Sequence, residues 1–397
     1  MRPGEQPRLP GKLAACKAGT TDPGPNGGSI VLGKLSRLLV ACGAALLAAG
    51  ATTAAQAQTK LRCQSSFPPS SMSYENSRLF AERVKALSGG RLEMEMMPSG
   101  ALVPAFEVMD ATHRKVIDCA HSAVAYWVGR NRAATLFGPA PGGPFGMDTL
   151  DYLGWLSEGG GQALYQEFYR DVLRRNVVPI PLSSVSPQSL GWFKNPVRSW
   201  EDLRGRKCRQ TGITAEVFSR SGMATVNMPG AEIVPAAERG VIDCAEWVGP
   251  AEDMQIGFHT VWKNFYVTSV HEPATVLEFL VNGDVWNGLA REHQEILRSA
   301  ALEATVRSIL IMNFRNAGAV AELREKHGVN VQRTPDDILR KTLESWDQVA
   351  KEEEARNPFF RKVHASLRDF ASKVVPTRRY THPEYKLSAD HYWPEAK

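Results

Sequence analysis

Two stretches of the chain share one pattern of apolar and polar positions. Val116–Ala120, with the sequence VIDCA, recurs 125 residues later as Val241–Ala245. Before each copy the pattern predicts a strand, a loop and an amphipathic helix, and a β-branched strand then runs into the repeated residues. The predicted strands and helices are 92–96 and 105–114 before the first copy, and 224–228 and 233–239 before the second. Alternating strands and helices are typical of βαβ units, so the pattern predicts two similar α/β lobes.

The remaining periodic segments add a first strand and several helices. Alternation over 61–67 predicts a strand, and helical spacing of apolar residues predicts helices over 74–87 and 291–326. Pro335, followed by two acidic residues, predicts the start of another helix that runs to about residue 356. The aromatic and polar residues 380–397 are typical of a tail that wraps around a fold.

The N-terminus has the pattern of an export signal. Basic residues within 34–37 precede an apolar run over 38–51, and the triplet Ala-Gln-Ala at 55–57, with small residues at both ends, follows. A basic region, a short apolar region and an A-x-A site form a secretory signal peptide, and the run is shorter than the about 20 residues that span a bilayer. Two alternatives stay open, namely a buried Ala/Leu helix of the folded domain and lipidation at Cys42. We expect residues 1–57 to be removed on export.

Composition and charge exclude some classes of protein. Hydrophobic residues make up 43% of the chain and charged residues 22%, which is typical of a globular protein with a core. The net charge is +5, but the first 57 residues hold six basic and two acidic residues, so the mature chain has 41 basic and 40 acidic residues. Because there is no basic run either, we expect no nucleic-acid partner.

Four cysteines remain after removal of the signal region: Cys63, Cys119, Cys208 and Cys244. None belongs to a C-x-x-C pair, which excludes zinc-ribbon and thioredoxin-like chemistry. Two alternatives are open: in an oxidising compartment the four cysteines form two disulfides, or they remain buried free thiols that act as small apolar strand residues. We expect free thiols.

Three charged residues stand where apolar strands end or begin. Arg209 closes a short strand before Gly212, Glu246 directly follows the second VIDCA, and Glu272 precedes the apolar strand 275–281. Ligands of open α/β sheets bind beyond the carboxyl ends of the strands, so these side chains are candidates for a cleft between the lobes. An arginine grips a carboxylate bidentately, whereas two converging acids need a proton, an arginine or a cation. The alternatives are an Arg209–Glu246 structural ion pair and a surface position for Glu272.

Known catalytic motifs do not occur in the sequence. There is no P-loop, no H-E-x-x-H, no G-x-S-x-G and no strand-anchored G-x-G-x-x-G. We therefore expect a binding protein rather than an enzyme. The rival from another class is an exported metal-dependent hydrolase or lyase, for which His271 beside Glu272 is the candidate general acid or base.

Residues 58 to about 375 resemble the solute receptors of tripartite ATP-independent periplasmic (TRAP) transporters. The segment 238–250, ERGVIDCAEWVGP, carries most of the resemblance, with support from 91–100, 126–130 and 186–193. The pair Glu246-Trp247 is similar to the branch of this family that binds 2-oxo acids and related monocarboxylates together with a metal cation.

The resemblance implies roles for individual residues. Arg209 would hold the substrate carboxylate, with Gln188 and Trp247 as further substrate-binding residues of the second lobe. Tyr126 would reach the ligand from the first lobe. The cation, sodium or alternatively calcium, would be bound by Gln188, Glu246, Glu272 and the backbone carbonyl of Trp247. One departure concerns the residues before Glu272, where the branch tends to carry aromatic side chains and this chain has Val270 and His271. That departure leaves the ligand open, with an aromatic acid or a dicarboxylate as alternatives.

The resemblance also implies the architecture and the partners. We expect a two-lobed periplasmic-binding-protein fold with a central cleft, hinge strands and long C-terminal helices. The expected parts are a signal region (1–57), lobe 1 (58–181), lobe 2 (182–275), a return strand with a long bracing helix (276–334), and C-terminal helices with a tail (335–397). Such a receptor works in the periplasm with TRAP membrane subunits, and the last part would suit a homodimer.

Overall fold

The computed structural model describes residues 58–394 except 139, 140 and 186. The predicted signal peptide and the alternatives for it lie outside the described residues. In the described part of the chain, no helix is long and apolar enough to cross a membrane.

Two β-sheets organise the described residues. The first has the strand order β2-β1-β3-β10-β4 and the second the order β11-β9-β5-β8-β6-β7. In the first sheet β10 is antiparallel to its neighbours, and in the second β5 is. The strands are β1 (Thr59–Ser65), β2 (Leu92–Met97), β3 (Cys119–Ser122), β4 (Val177–Ser184), β5 (Gly191–Phe193), β6 (Lys207–Arg209), β7 (Ala224–Val226), β8 (Cys244–Ala245), β9 (Asn264–Tyr266), β10 (Val276–Asn282) and β11 (Asn330–Gln332). The chain thus crosses from the first sheet to the second after β4, returns to the first sheet for β10, and crosses again to the second sheet for β11.

Helices pack on both sheets, so the predicted two-lobed α/β fold is confirmed. They are α1 (Met72–Leu87), α2 (Val108–His113), α3 (Gly143–Gly146), α4 (Thr149–Ser157), α5 (Gly161–Glu167), α6 (Thr214–Ser219), α7 (Gly230–Glu238), α8 (Pro250–Gln255), α9 (Phe258–Val261), α10 (Gly283–Gly288), α11 (Arg291–Glu325), α12 (Asp336–Arg356), α13 (Pro358–Thr381) and α14 (Tyr385–Tyr392). The predicted lobe boundaries stay predictions, and the one at 181/182 falls inside β4.

The long helix α11 contacts both lobes. Ser308 Oγ accepts a hydrogen bond from the backbone N–H of Ser184 on β4 at 2.8 Å, and Asn316 Oδ1 accepts one from Ala251 N on α8 at 3.0 Å. Its bounds agree with the sequence prediction within one residue. The 35-residue helix is therefore hydrogen-bonded to both lobes and braces them.

The sequence repeat corresponds to one local structure that occurs twice. The backbone N–H of Arg62 donates to the Asp118 carboxylate at 2.8 Å, and the backbone N–H of Asp118 donates to the carbonyl oxygen of Arg62. Lys207 and Asp243 make the same two hydrogen bonds, with 3.2 Å between Lys207 N and the Asp243 carboxylate. The predicted strand into VIDCA is wrong for its first three residues, because only Cys-Ala lies in β3 and β8. Each Asp instead ties a turn to the neighbouring strand, and the preceding Val116 is 48% exposed.

The preference for free thiols is wrong, because the four cysteines form two disulfides. Cys63 pairs in register with Cys119 between β1 and β3, and Cys208 with Cys244 between β6 and β8. Both pairs have Cα atoms 4.5 Å apart, within the range that a disulfide spans. Strand register, which brings these residues together, is not visible in the sequence.

The prediction of a wrapping tail is also wrong. Residues 358–381 continue as α13, and α14 follows with no buried side chain. Tyr385 is 78% exposed and Trp393 83%. Helix α13 packs on the first lobe, whereas α14 leaves its aromatic side chains uncovered by the described residues of its own chain.

Candidate ligand and cation site

The six residues predicted for the site surround one cavity between the lobes. The cavity has a volume of about 30 Å³, room for one or two water molecules, so the lobes are shut around it. Its lining includes Tyr126, Gln188, Arg209, Glu246, Trp247 and Glu272, together with Phe67, Thr211 and Thr275. The structure therefore brings together every side chain that the sequence assigned to the site.

Neighbouring parallel strands of the second sheet deliver the two central charges. Arg209 is the last residue of β6, and Glu246 follows the last residue of β8. The Cys208–Cys244 disulfide joins the two strands one residue before Arg209 and two residues before Glu246, and Arg209 pairs in register with Ala245. Adjacent strand ends thus place a guanidinium beside a carboxylate.

Arg209 and Glu246 form the ion pair that the sequence analysis gave as an alternative. Nη1 of Arg209 donates to the backbone oxygen of Glu246 at 3.0 Å and to its Oε1, while Nε donates to Met228 O at 3.3 Å. The guanidinium carbon lies 5.2 Å from the centre of the Trp247 ring. Both charged side chains are buried, yet Oε2 of Glu246 has no hydrogen-bond partner in the described structure. The pair therefore accounts for only one of the two carboxylate oxygens.

Glu272 is buried, so its alternative as a surface turn acid is wrong. Only 1% of the residue is exposed, and its Oε1 also lacks a partner among the described residues. Burial, with the charge of Glu246 as a second cause, raises the pKa of Glu272 well above its usual range, and Arg209 opposes this shift. Burial likewise raises the pKa of Glu246. Two acids in this state need a counter-charge before both can ionise.

Gln188 supplies a third unsatisfied oxygen. Its backbone N–H donates to Glu272 O at 3.0 Å, and its Nε2 donates to Thr275 Oγ1 at 3.3 Å, which fixes the amide. The amide Oε1 is buried and has no partner within the described ranges. Since buried polar atoms are nearly always paired, the oxygens of Gln188, Glu246 and Glu272 fit a site for a hard cation.

The segment that carries Trp247 is held by two acids that the sequence analysis missed. Asp253 Oδ1 accepts from the N–H groups of Val248 and Gly249 at 3.0 and 2.9 Å. Glu252 Oε1 accepts from Trp247 Nε1 at 3.2 Å. The sequence signal that could have found both residues is their place in the first turn of α8, where acidic side chains are favoured, directly after the segment 245–249.

Glu252 also joins the two lobes. Its Oε1 accepts from Ser71 Oγ at 2.5 Å, and its Oε2 accepts from Met72 N at 2.7 Å. Ser71 is the N-cap of α1 in the first lobe. A carboxylate of the second lobe therefore caps a helix of the first, where the helix dipole favours negative charge.

Tyr126 reaches the cavity from the first lobe. It lies in the turn Val124–Trp127 that follows β3, and burial raises the pKa of its hydroxyl to about 12. Beside it, Ala125 approaches Gly212 so closely that a Cβ at Gly212 would lie 3.2 Å from the Ala125 Cβ. The lobes meet at this contact, and Gly212 also has a φ of +59°.

His271 is a further buried group at the site. A ring nitrogen of His271 and carboxylate oxygens of Glu246 and Glu272 lie within 4.8 Å of one another. Burial lowers the pKa of His271 to about 3, so the ring is neutral at physiological pH. In the sequence, His271 stands out as a departure from the resembled branch and as a candidate acid or base. Its place beside the two acids of the predicted cation site is visible only in the structure.

Comparison with known proteins supports the family that the residues indicate. The sequence model of DctP, the bacterial extracellular solute-binding protein family 7, matches residues 64–357. The monocarboxylate 2-oxoacid-binding periplasmic protein of Nostoc sp. is 30% identical over 325 residues, covering 82% of this chain and 87% of the relative.

Two solved structures are similar over most of the chain. One is a TRAP transporter solute-binding protein of Bordetella bronchiseptica, with a TM-score of 0.79 and 27% identity over 85% of this chain and 98% of that protein. It is a mixed-occupancy dimer with copurified calcium and picolinate in its active site. A TRAP solute-binding protein of Pseudoalteromonas atlantica with bound sodium and pyruvate has a TM-score of 0.77 and 27% identity, covering 83% and 99%. The fold, the matched segment and the motif agree, and the chain belongs to the DctP family of bacterial extracellular solute-binding proteins, as a solute receptor of the TRAP type.

Proposed function

We propose that this receptor binds a small 2-oxo acid, such as pyruvate or a related monocarboxylate, together with a metal cation. The Nostoc relative is a 2-oxoacid-binding protein, and the Pseudoalteromonas structure contains pyruvate with sodium. Sodium is the first expectation for the cation and calcium the alternative. The receptor would deliver the acid to TRAP membrane subunits in the periplasm after export by the N-terminal signal peptide.

Arg209 would anchor the carboxylate of the ligand. Its side chain is held from three sides by Glu246, Met228 and the Trp247 ring, so the guanidinium pays little conformational entropy on binding. Tyr126 would contact the same ligand from the first lobe. A ligand bound between them touches both lobes and favours the closed form, since that form alone makes both sets of contacts.

The observation that carries the proposal is the set of buried oxygens without partners. Gln188 Oε1, Glu246 Oε2 and Glu272 Oε1 would hold the cation, with the Trp247 backbone carbonyl as a further ligand. A bound cation offsets the repulsion between the two acids and lets a third carboxylate, that of the ligand, enter the same cavity.

A thermal-shift and calorimetry screen tests this proposal. Chelator-treated mature protein is titrated with pyruvate and other 2-oxo acids, with and without sodium or calcium. We expect binding that depends on the cation, and Glu272→Gln should lower ligand affinity and its cation dependence together. Equal affinity in metal-stripped and metal-replete buffer would show that the two acids have another role.

An aromatic acid is the second candidate ligand. The rings of Phe67, Tyr126 and Trp247 line the cavity, and the Bordetella relative contains picolinate. Including picolinate and benzoate in the same screen separates this candidate, and the dicarboxylate alternative, from pyruvate. The family consists of receptors, so we expect no turnover of the bound acid, which proton NMR of the incubated ligand checks.

A homodimer through the C-terminal helices is part of the same proposal. Helix α14 exposes Tyr385, Leu387 and Tyr392, at 78, 71 and 71%, and the Bordetella relative is a dimer. Light scattering of the mature chain, and of a chain ending at residue 382, tests whether this helix supports association.

A further inference from the structure

One nitrogen shares the situation of the three unsatisfied oxygens. Nε2 of His271 is buried and has no hydrogen-bond partner in the described structure. The other ring nitrogen, Nδ1, is bonded to Ser269 Oγ. In the tautomer that donates from Nδ1 to Ser269, Nε2 keeps its lone pair, which is the arrangement typical of a metal-bound histidine with an outer hydrogen-bond partner.

The spacing of the donor atoms suits a single ion. One ring nitrogen of His271 and one carboxylate oxygen each of Glu246 and Glu272 lie within 4.8 Å of one another. Bonds of about 2.1 to 2.4 Å reach ligand atoms up to about 4.2 to 4.8 Å apart on opposite sides of an ion, so the side chains need to move only by tenths of an ångström. The resemblance implied oxygen ligands alone, whereas this chain adds an imidazole.

The charges around the cavity favour a divalent ion. Among the described residues that line it, Arg209 carries one positive charge, while Glu246 and Glu272 carry two negative charges when ionised. A bound monocarboxylate adds a third negative charge. A divalent cation brings the sum of these charges to zero, whereas sodium leaves a net charge of −1 in the cavity.

We propose that His271 is a direct ligand of the cation and makes the site prefer imidazole-accepting divalent ions, of the Co²⁺ and Zn²⁺ class, over calcium and sodium. This inference rests on the proposed function, because it assumes that the cavity takes up a cation. Imidazole suits these ions, whereas calcium and magnesium take oxygen ligands.

His121 offers a matched control. It is also fully buried, its Nδ1 lies 3.3 Å from Ser65 Oγ, and its Nε2 also lacks a partner among the described residues. It belongs to no cluster of metal-ligating side chains in the part of the chain that the structure describes. His121→Phe therefore removes the same kind of buried ring without touching the proposed ion.

The experiment measures cation binding directly. Chelator-treated wild type, His271→Phe and His121→Phe are titrated with Co²⁺, Ca²⁺ and Na⁺ by calorimetry, with and without pyruvate. We expect wild type to bind Co²⁺ at least tenfold more tightly than Ca²⁺. His271→Phe should lose at least tenfold in Co²⁺ affinity and less than threefold in Ca²⁺ affinity, while His121→Phe changes neither. The comparison between variants is decisive, because oxygen sites also prefer Co²⁺ to some extent.

A spectroscopic readout on wild type does not depend on the folding of any variant. Pulsed electron paramagnetic resonance of Mn²⁺-loaded wild type should show coupling to a directly bound ¹⁴N. Absence of that coupling, with Co²⁺ affinity equal in wild type and His271→Phe, would overturn the role of His271 and leave the proposed function intact. Absence of binding of every cation, with pyruvate present or absent, would instead overturn the proposed function and this inference with it.

Discussion

Replacing Glu252 by Gln is expected to weaken ligand binding, although Glu252 does not line the cavity. The carboxylate holds Ser71 and Met72 of the first lobe at 2.5 and 2.7 Å, and Trp247 of its own lobe at 3.2 Å. Opening of the lobes would separate Glu252 from Ser71 and Met72. The substitution therefore acts on the closed form and not on the open one.

The magnitude follows from the contacts that the amide cannot make. Gln keeps one acceptor oxygen and puts an NH₂ group against the remaining donors. Loss of one hydrogen bond to a charged acceptor costs about 1.5 to 3 kcal/mol, and loss of a charge at a helix N-terminus costs about 0.3 to 1 kcal/mol. The sum of about 2 to 4 kcal/mol against closure predicts a dissociation constant at least tenfold higher, since 1.4 kcal/mol is about a factor of ten.

Calorimetry and small-angle scattering measure the two consequences. We expect the dissociation constant of the Gln variant to rise, and its radius of gyration at moderate ligand concentration to stay larger than that of wild type. Glu75→Gln is the control. Glu75 lies in the first turn of α1, the helix that Glu252 caps, but it pairs with Arg315 of α11 at 2.7 Å. An unchanged dissociation constant in Glu252→Gln, or an equal loss in Glu75→Gln, would refute the cross-lobe role.

Four further outcomes are expected. Arg209→Lys keeps the charge but loses the planar guanidinium, so ligand affinity measured by calorimetry should fall at least tenfold, which is about 1.4 kcal/mol or more. Wild-type affinity in this variant would disprove that Arg209 anchors the ligand carboxylate. Tyr126→Phe should cost less than that and act mainly on the dissociation rate in stopped-flow measurements; a larger loss than for Arg209→Lys would contradict the assignment. Removing the Cys63–Cys119 disulfide, which closes 56 residues, should lower the free energy of unfolding by about 4 kcal/mol in urea titrations, and no change would exclude the bond. Burial raises the pKa of Glu278 from 4.5 to about 7, so between these two pH values the folded state binds a proton that the unfolded state does not. The free energy of unfolding should therefore rise as pH falls from 7 towards 5, by up to about 1.4 kcal/mol per pH unit, and Glu278→Gln should flatten that slope in urea titrations.

Local pattern predicted five of the fourteen helices in the described residues, including the long helices α11 and α12, and the existence of two lobes. The bounds of α11 and α12 follow from apolar spacing and from Pro335, which are both properties of neighbouring residues. The same approach failed at Val116 and Val241, because β-branched residues favour strands while their actual place is an exposed turn held by Asp118 and Asp243.

The candidate site was predictable where a signal lies next to the residue. Glu246 follows a repeated motif, and Arg209 ends a strand before a glycine. The role of Glu252 could not be predicted in the same way, because its partner Ser71 lies 181 residues away. His271 was visible as a departure from the family pattern, but only the structure shows that its ring reaches the same place as two acids.

The two disulfides make the geometry of the site depend on the redox state of its surroundings. Each lies between strands that lead into the cleft, and the Cys208–Cys244 bond directly precedes Arg209 and the loop with Glu246. Thiols stay reduced in the cytoplasm and oxidise outside it. In an oxidising compartment, the setting of a bacterial extracellular family, the strands that carry the central ion pair are covalently linked, whereas under reducing conditions they are held by hydrogen bonds alone.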